Sequence, residues 1–120
     1  MTVRLNRLKN RRDFLRVAAG RARAARPGLI LQAAPRPEAG EAAPRVGFTA
    51  SKRVGNAVAR NRAKRRLRAA AASVLAQRGK PGTDYVLIAR GETGTRPYLE
   101  LLADLEGALR QLSRAAEGAR

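Results

Sequence analysis

Short apolar segments at three places along the chain predict β-strands. Leu29–Ala34 and Tyr85–Arg90 are apolar runs of strand length, and Arg45–Ser51 alternates between larger apolar residues and small or polar ones. The segment Pro35–Pro44 between the first two is rich in Pro, Gly and Ala, which predicts a loop and the most mobile part of the domain. No internal repeat interrupts this order.

Apolar positions at helical spacing predict helices before, between and after these strands. The first covers Asn10–Ala19, and the last covers Tyr98–Leu112, where leucines recur every third or fourth residue. Residues 113–120 have no such pattern, and we expect them to form a frayed tail. The chain is therefore expected to be one domain over residues 1–112.

The middle helix is predicted from Asn56 or Ala57 to Arg78, with Asn56 as its N-cap and Gly79 at its end. Five residues share one side of a helical projection and predict its buried stripe: Ala63, Leu67, Ala70, Ala71 and Val74. A strand, this helix and a second strand in succession form a βαβ unit, with other elements around it.

Positive charge is concentrated in the first two-thirds of the chain. The sequence has 26 Lys and Arg against 9 Asp and Glu, a formal net charge of +17. The stretch Ala42–Thr83 contains 11 basic residues and no acidic one. Because a merely solvated surface mixes charges of both signs, this stretch indicates a polyanionic partner.

The middle helix carries the densest part of this charge. Six of the nine residues Arg60–Arg68 are basic, and no carboxylate lies one turn away to offset them. Like charges at that spacing destabilise a helix, so we interpret the face centred on Arg65, with Asn61, Arg62 and Arg68 beside it, as a nucleic-acid-binding surface. A solvated face is the alternative. Phosphate contacts position a protein without reading sequence, so the residues alone indicate a binder that reads shape.

The residue types that are missing limit the chemistry. The chain has no Cys and no His, so it has no disulfide framework, no thiolate zinc site and no histidine general base. Asp13, Glu38 and Glu41 form no paired carboxylate site, and we assign no catalytic residue and no metal ligand to the protein. No apolar run is long enough for a membrane span or a secretory signal, so we expect a cytoplasmic protein without a membrane partner.

The segment Arg45–Arg65 resembles a family signature. Its pattern RVGF-x-x-SK-x-x-G-x-AV-x-RN-x-x-KR resembles that of the protein subunit of bacterial ribonuclease P. The similarity extends to the first helix with Phe14 and Val17, to the strand YVLIAR and to the closing helix. In that family the protein binds a large catalytic RNA, and together they cleave 5′ leaders from tRNA precursors.

The resemblance implies a fold and a set of partners. The fold is an α+β or α/β sandwich with a small mixed sheet, whose βαβ crossover is left-handed although such crossovers are usually right-handed. The enzyme is an endoribonuclease whose Mg²⁺ is held by the RNA, and the protein is its RNA-binding subunit. Its expected partners are ribonuclease P RNA and precursor tRNA, with no obligate protein partner.

The resemblance also assigns roles to residues. Those expected to face the catalytic RNA are Arg60, Asn61, Arg62, Lys64, Arg65, Arg68, Lys52 and Arg53. Those expected to line a cleft for the single-stranded leader are Phe14, Val17, Ile30 and Gln32. The family often has a second aromatic residue at the position of Ala18 and a Tyr near that of Gln32. With fewer stacking surfaces, we expect leader binding here to depend more on phosphate contacts.

Other interpretations of the same residues remain open. A ribosomal-protein-like structural RNA binder would be equally basic and would need no leader cleft. A self-sufficient nuclease is disfavoured by the lack of His, Cys and clustered carboxylates. Phe14 on a short helix is also typical of a core residue, and Gly47 and Gly55 are typical of backbone requirements.

Overall fold

The structure is a computed structural model that describes residues 5–20, 22–36, 38 and 40–118. Its strands and helices, in chain order, are β1 (Asn6–Arg7), α1 (Arg11–Ala19), β2 (Arg23–Arg26), β3 (Leu29–Pro35), β4 (Arg45–Thr49), α2 (Ala57–Arg78), β5 (Thr83–Ala89) and α3 (Tyr98–Gly118). The three predicted strands and three predicted helices are thus confirmed, within a few residues at their ends.

The five strands form one mixed sheet in the order β1-β4-β5-β3-β2. β4 is parallel to both β1 and β5, whereas β3 is antiparallel to both β5 and β2. Helix α2 connects the neighbouring parallel strands β4 and β5, which confirms the βαβ unit and the predicted α+β fold with a small mixed sheet. The left-handed sense of this crossover stays a prediction.

The two faces of the sheet are covered unequally. Helices α2 and α3 pack on one face, called here the closed face, and bury the larger core. All five residues of the predicted α2 stripe belong to that core, so the stripe is confirmed. On the other face, called here the groove face, α1 is the one described helix that packs, over a small core of Leu8, Val17, Ala34 and Val86.

Two strands, β1 and β2, lie outside the sequence prediction. β1 has only two residues, and β2 reads Arg-Ala-Ala-Arg, without the β-branched and aromatic residues that favour strands. β2 forms because a two-residue Pro-Gly turn folds the chain back and places Arg26 opposite Leu29 of β3. Turn chemistry and pairing with an apolar neighbour therefore determine this strand.

The frayed tail expected at residues 113–120 is wrong for Ser113–Gly118, because α3 continues to Gly118. The reason is local: Ala115 and Ala116 favour helix even without an apolar stripe. Residues 119 and 120 lie outside the described residues. Within the described part of the chain, no helix is both long enough and apolar enough to cross a membrane.

The connection from β3 to β4 is held to the sheet at several points. The backbone N–H of Arg36 donates to the Gly82 carbonyl at 2.7 Å, and that of Gly82 donates to the Ala42 carbonyl at 2.7 Å. Residues 37 and 39 lie outside the described residues. The mobility expected of this loop stays a prediction.

Candidate nucleic-acid interface

The start of α2 is fixed by two side-chain caps. Ser51 Oγ accepts the Arg53 N–H at 3.3 Å in the short turn before the helix, and Asn56 Oδ1 accepts the Ala59 N–H at 2.9 Å. The predicted N-cap is therefore confirmed. Gly55, between the two caps, has φ 142°, which side chains rarely adopt, and confirms its predicted backbone role.

The residues expected to face the catalytic RNA lie together on the first half of α2 and the turn before it. The exposed ones are Lys52, Arg53, Asn61, Arg62, Arg65 and Arg68. Arg60 and Lys64 are half-buried, and Arg60 Nη1 donates to the Gly55 carbonyl at 3.3 Å. All eight therefore lie on neighbouring segments of the chain with some accessible surface, and their contact with RNA stays a prediction.

Two arginines of α2 bind carbonyls of the loop between β5 and α3. Arg62 Nε donates to the Gly94 carbonyl at 3.0 Å, and Arg66 Nη2 donates to the Arg96 carbonyl. Because Arg62 commits only its Nε, its terminal amino groups remain available for a bidentate contact with phosphate. Arg65, in contrast, makes no side-chain hydrogen bond to the residues that the structure describes.

The β5–α3 loop is itself held by Asp104 of α3. The Asp104 carboxylate accepts hydrogen bonds from Arg96 Nε at 2.5 Å and from the Gly28 N–H at 3.0 Å. Thr93 Oγ1 donates to the Gly28 carbonyl at 2.6 Å and accepts the Arg90 N–H at 2.7 Å. The hairpin β2–β3 and the loop that orients Arg62 therefore form one hydrogen-bonded unit.

On the groove face, the aromatic ring of Phe14 lies directly over Gly47 of β4. A Cβ atom at position 47 would come within 2.4 Å of Phe14 Cζ. Gly47 has no positive φ, so its role is to leave space for the ring and the expected backbone role is wrong for this glycine. Phe14 remains half-buried, with part of its ring accessible.

The four residues expected to line the leader cleft all lie on the groove face, but their exposure differs. Phe14, Ile30 and Gln32 are half-buried and keep surface that a ligand can reach. Val17 has no exposed surface and packs in the small core below. Val17 therefore supports the groove from below, because a fully buried side chain offers no area for contact. The leader-binding role of the other three stays a prediction.

A charged network lies on the groove face beside β3 and β5. The carboxylate of Asp84, which has no exposed surface, accepts hydrogen bonds from Arg45 Nε and Nη2 at 2.8 and 2.7 Å. It also accepts from Arg36 Nε at 2.9 Å and from Arg16 Nη2. Asp13 lies 3.4 Å from Arg45 and adds a second carboxylate.

Sequence reasoning missed this network, because its members are far apart along the chain. Burial alone would raise the pKa of Asp84, but the hydrogen bonds and charges of Arg45, Arg36 and Arg16 outweigh burial and lower that pKa below its usual value. The available signal was a single acidic residue at the start of an otherwise apolar strand, since a buried carboxylate almost always has a charged partner.

Comparison with known proteins decides the family of this chain. A family model described as Ribonuclease P matches residues 3–113. The chain belongs to the ribonuclease P protein family. It is 57% identical over 114 residues to the ribonuclease P protein component of Paramagnetospirillum magneticum, which covers 93% of this chain and 86% of that protein. It is 45% identical over 118 residues to the protein of the same name from Gluconacetobacter diazotrophicus, which covers 98% and 100%.

Solved structures of the ribonuclease P family share the fold. The RNase P protein of Staphylococcus aureus is 27% identical, with a TM-score of 0.71 over 87% of this chain and 92% of that one. The protein of Thermotoga maritima, at 24% identity, has a TM-score of 0.73 over 88% and 96% and supports the fold alone. The predicted resemblance and the predicted fold class are both confirmed.

Proposed function

We propose that this chain is the RNA-binding subunit of a ribonuclease P, which binds the catalytic RNA through α2 and aids removal of the 5′ leader from precursor tRNA. The observation that carries the proposal is the basic surface of α2. Its exposed arginines lie opposite the buried stripe, so they can contact a partner without disturbing the core. Membership of the ribonuclease P family supports the role of a subunit.

Binding by this surface is mainly electrostatic. Each cation that neutralises a phosphate releases condensed counterions, which makes the affinity fall steeply as salt rises. The N-terminal half of α2 has no carboxylate to compete with phosphate. Arg62 is already oriented by the Gly94 carbonyl, so less side-chain entropy is lost when it binds.

The chemistry of cleavage belongs to the RNA in this proposal. Among the described residues, no three His, Cys, Asp or Glu side chains are grouped closely enough to hold a metal ion. In the holoenzyme, Mg²⁺ held by the RNA would activate the water that attacks the phosphodiester. The protein's residues neutralise phosphate and raise the affinity for the precursor.

The groove face is where the single-stranded leader would bind. A half-buried aromatic ring beside exposed basic residues is the arrangement that binds single strands without sequence preference. Phe14 supplies the ring, and Ile30 and Gln32 supply accessible surface on β3. A purely structural RNA binder would gain nothing from this groove, so a leader-dependent effect separates the two functions.

Reconstitution of the enzyme tests the proposal. Cleavage of a precursor tRNA is measured at low Mg²⁺ with the protein alone, with a bacterial ribonuclease P RNA alone, and with the mixture. We expect the protein alone to be inert and the mixture to cleave much faster than the RNA alone. A mixture no faster than the RNA alone would contradict the proposed function.

A pair of charge reversals assigns the effect to α2. Arg65→Glu on α2 should abolish the stimulation, because it places a carboxylate at the centre of the RNA-facing surface. Arg110→Glu changes the charge equally at an exposed position of α3 and should preserve the stimulation. Equal loss in both variants would indicate a response to net charge alone.

A further inference from the structure

The β1 edge of the sheet carries two basic residues that the proposed function does not use. Arg7 lies in β1 and Lys9 follows it, and both side chains are exposed. Neither forms an ion pair with a carboxylate among the residues that the structure describes. Their charges are therefore available to an anionic ligand.

Arg7 lines two neighbouring surface pockets, one on each side of the sheet edge. The pocket on the groove face is formed by Arg7, Leu8, Lys9 and Phe14. The pocket towards α2 is formed by Leu5, Asn6, Arg7, Val46, Phe48 and Arg68. Arg7 thus borders both the leader groove and the edge of the α2 surface.

Backbone pairing holds Arg7 at this position. β1 runs parallel to β4 with Arg7 opposite Val46, and the Leu8 N–H donates to the Val46 carbonyl at 2.9 Å. The Leu8 side chain is buried in the small core of the groove face, next to Phe14. Because its neighbour is anchored, Arg7 is held at the outer edge rather than on a free terminus.

Each pocket combines cations with an aromatic ring. Arg7 and Lys9 line the pocket on the groove face together with the half-buried Phe14, and Arg7 and Arg68 line the other pocket together with Phe48. Single-stranded nucleic acids are bound by this combination, because bases stack on the ring while cations contact the phosphates.

We propose that Arg7 and Lys9 form a phosphate-binding site for the single-stranded leader. Through this site the leader passes from Phe14 over the β1 edge towards Arg68 on α2. This inference rests on the proposed function and identifies the end of the groove at which the leader meets the RNA-facing surface. The ligand group is a phosphodiester of single-stranded RNA. The site adds two residues to those assigned to the RNA-facing surface and to the leader cleft.

Helix α3 on the closed face provides a matched control. Arg110 lies on α3 and is also exposed. The holoenzyme is reconstituted with Arg7→Ala, Lys9→Ala, the double variant or Arg110→Ala, and its affinity is measured for precursor tRNA and for mature tRNA over a range of salt. The melting temperature of each free protein is measured in parallel.

The double variant should weaken precursor binding about fivefold or more and lower the salt slope by about one unit per cation, since each lost phosphate contact removes one such unit. Mature tRNA, which has no leader, should bind as before, and Arg110→Ala should change neither affinity. Equal weakening for both tRNAs, or an equal effect of Arg110→Ala, would overturn the inference. Failure of the wild-type protein to stimulate cleavage would instead overturn the proposed function.

Crosslinking gives a second readout that does not depend on stability. Because the chain has no cysteine, Arg7→Cys and Arg110→Cys each create a single attachment point for a photocrosslinker. We expect the probe at position 7 to crosslink to the leader of a bound precursor and the probe at position 110 not to do so. A position 7 probe that never reaches the leader would overturn the inference.

Discussion

The closed face and the groove face of the sheet contribute differently to the stability of the fold. The closed face is covered by two long helices, and its apolar residues form one continuous core. The groove face is covered by the nine residues of α1 and, among the described residues, has a core of four buried hydrophobic side chains, with a charged network around Asp84 beside them. The difference teaches that one face holds the fold together while the other keeps apolar and basic surface accessible.

The basic surface of α2 depends on this division. Because the stripe of α2 packs on the closed face, the opposite side of the same helix is free for a partner. On the groove face, a bound ligand lies beside the same residues that stabilise the fold. Substitutions should therefore separate folding from binding on the closed face, and couple them on the groove face.

The largest expected effect comes from a charge in the closed face. Leu67→Asp should unfold the protein, because an unpaired carboxylate in this core costs at least about 4 kcal/mol out of a total stability of about 5–15 kcal/mol. Circular dichroism and thermal melting measure this. Arg65→Asp, two residues earlier on the exposed side, is the control and should melt close to the wild type. Unfolding by both variants would mean that the stripe has been placed on the wrong side of α2.

The next largest loss of stability is expected on the groove face, from a substitution of Asp84. Asp84→Asn keeps the size of the side chain but leaves three guanidiniums without their buried carboxylate, and we expect a loss of about 3 kcal/mol in denaturant unfolding. Glu41→Gln removes an exposed carboxylate and should change stability little. Equal stability of the Asp84→Asn variant and the wild type would show that the network is dispensable.

Asp84 also predicts that the stability of the folded protein depends on pH. The pKa of Asp84 is lower in the folded protein than its usual value, so its charge stabilises the folded state above about pH 4. That contribution is lost as the pH falls through the folded pKa. Unfolding measured between pH 7 and pH 2 should show an acid-dependent loss in the wild type that is smaller in Asp84→Asn. Parallel pH curves for the wild type and Asp84→Asn would contradict the assignment of the acid-dependent loss to Asp84.

A smaller effect is expected at Phe14, where binding and packing meet. Phe14→Ala should weaken precursor tRNA binding by about 1 kcal/mol, the low end of stacking values, and affect mature tRNA less. Leu15→Ala removes a neighbouring apolar side chain that is 55% exposed and serves as the control. Equal loss for both tRNAs, with a stability loss of about 3–5 kcal/mol, would assign Phe14 to the core.

The smallest effect distinguishes two arginines of α2. Arg62→Lys loses the hydrogen bond from Nε to the Gly94 carbonyl, whereas Arg65→Lys loses no contact within the described protein. We expect Arg62→Lys to bind ribonuclease P RNA more weakly than Arg65→Lys by about 0.5–1.5 kcal/mol, the usual net value of one hydrogen bond. Identical affinities would show that the loop does not orient Arg62.

Much of the closed face could be predicted from the sequence, and much of the groove face could not. The α2 stripe and its N-cap follow from helical spacing and cap chemistry, which act within one element. The Asp84 network and the pockets at Arg7 depend on β4, β5 and β1 lying side by side, which no local pattern specifies. Val17 illustrates the same limit: its position on α1 was predicted, but its complete burial depends on β3 and β5 beneath it.

The contact between Phe14 and Gly47 has a consequence for how this protein can change over generations. A side chain at position 47 would collide with the ring of Phe14 where the structure places it, although the two positions lie on different elements. A substitution at position 47 therefore requires the ring to move from its place over β4 or to be lost. After either change, the groove would no longer present an aromatic ring at the same place.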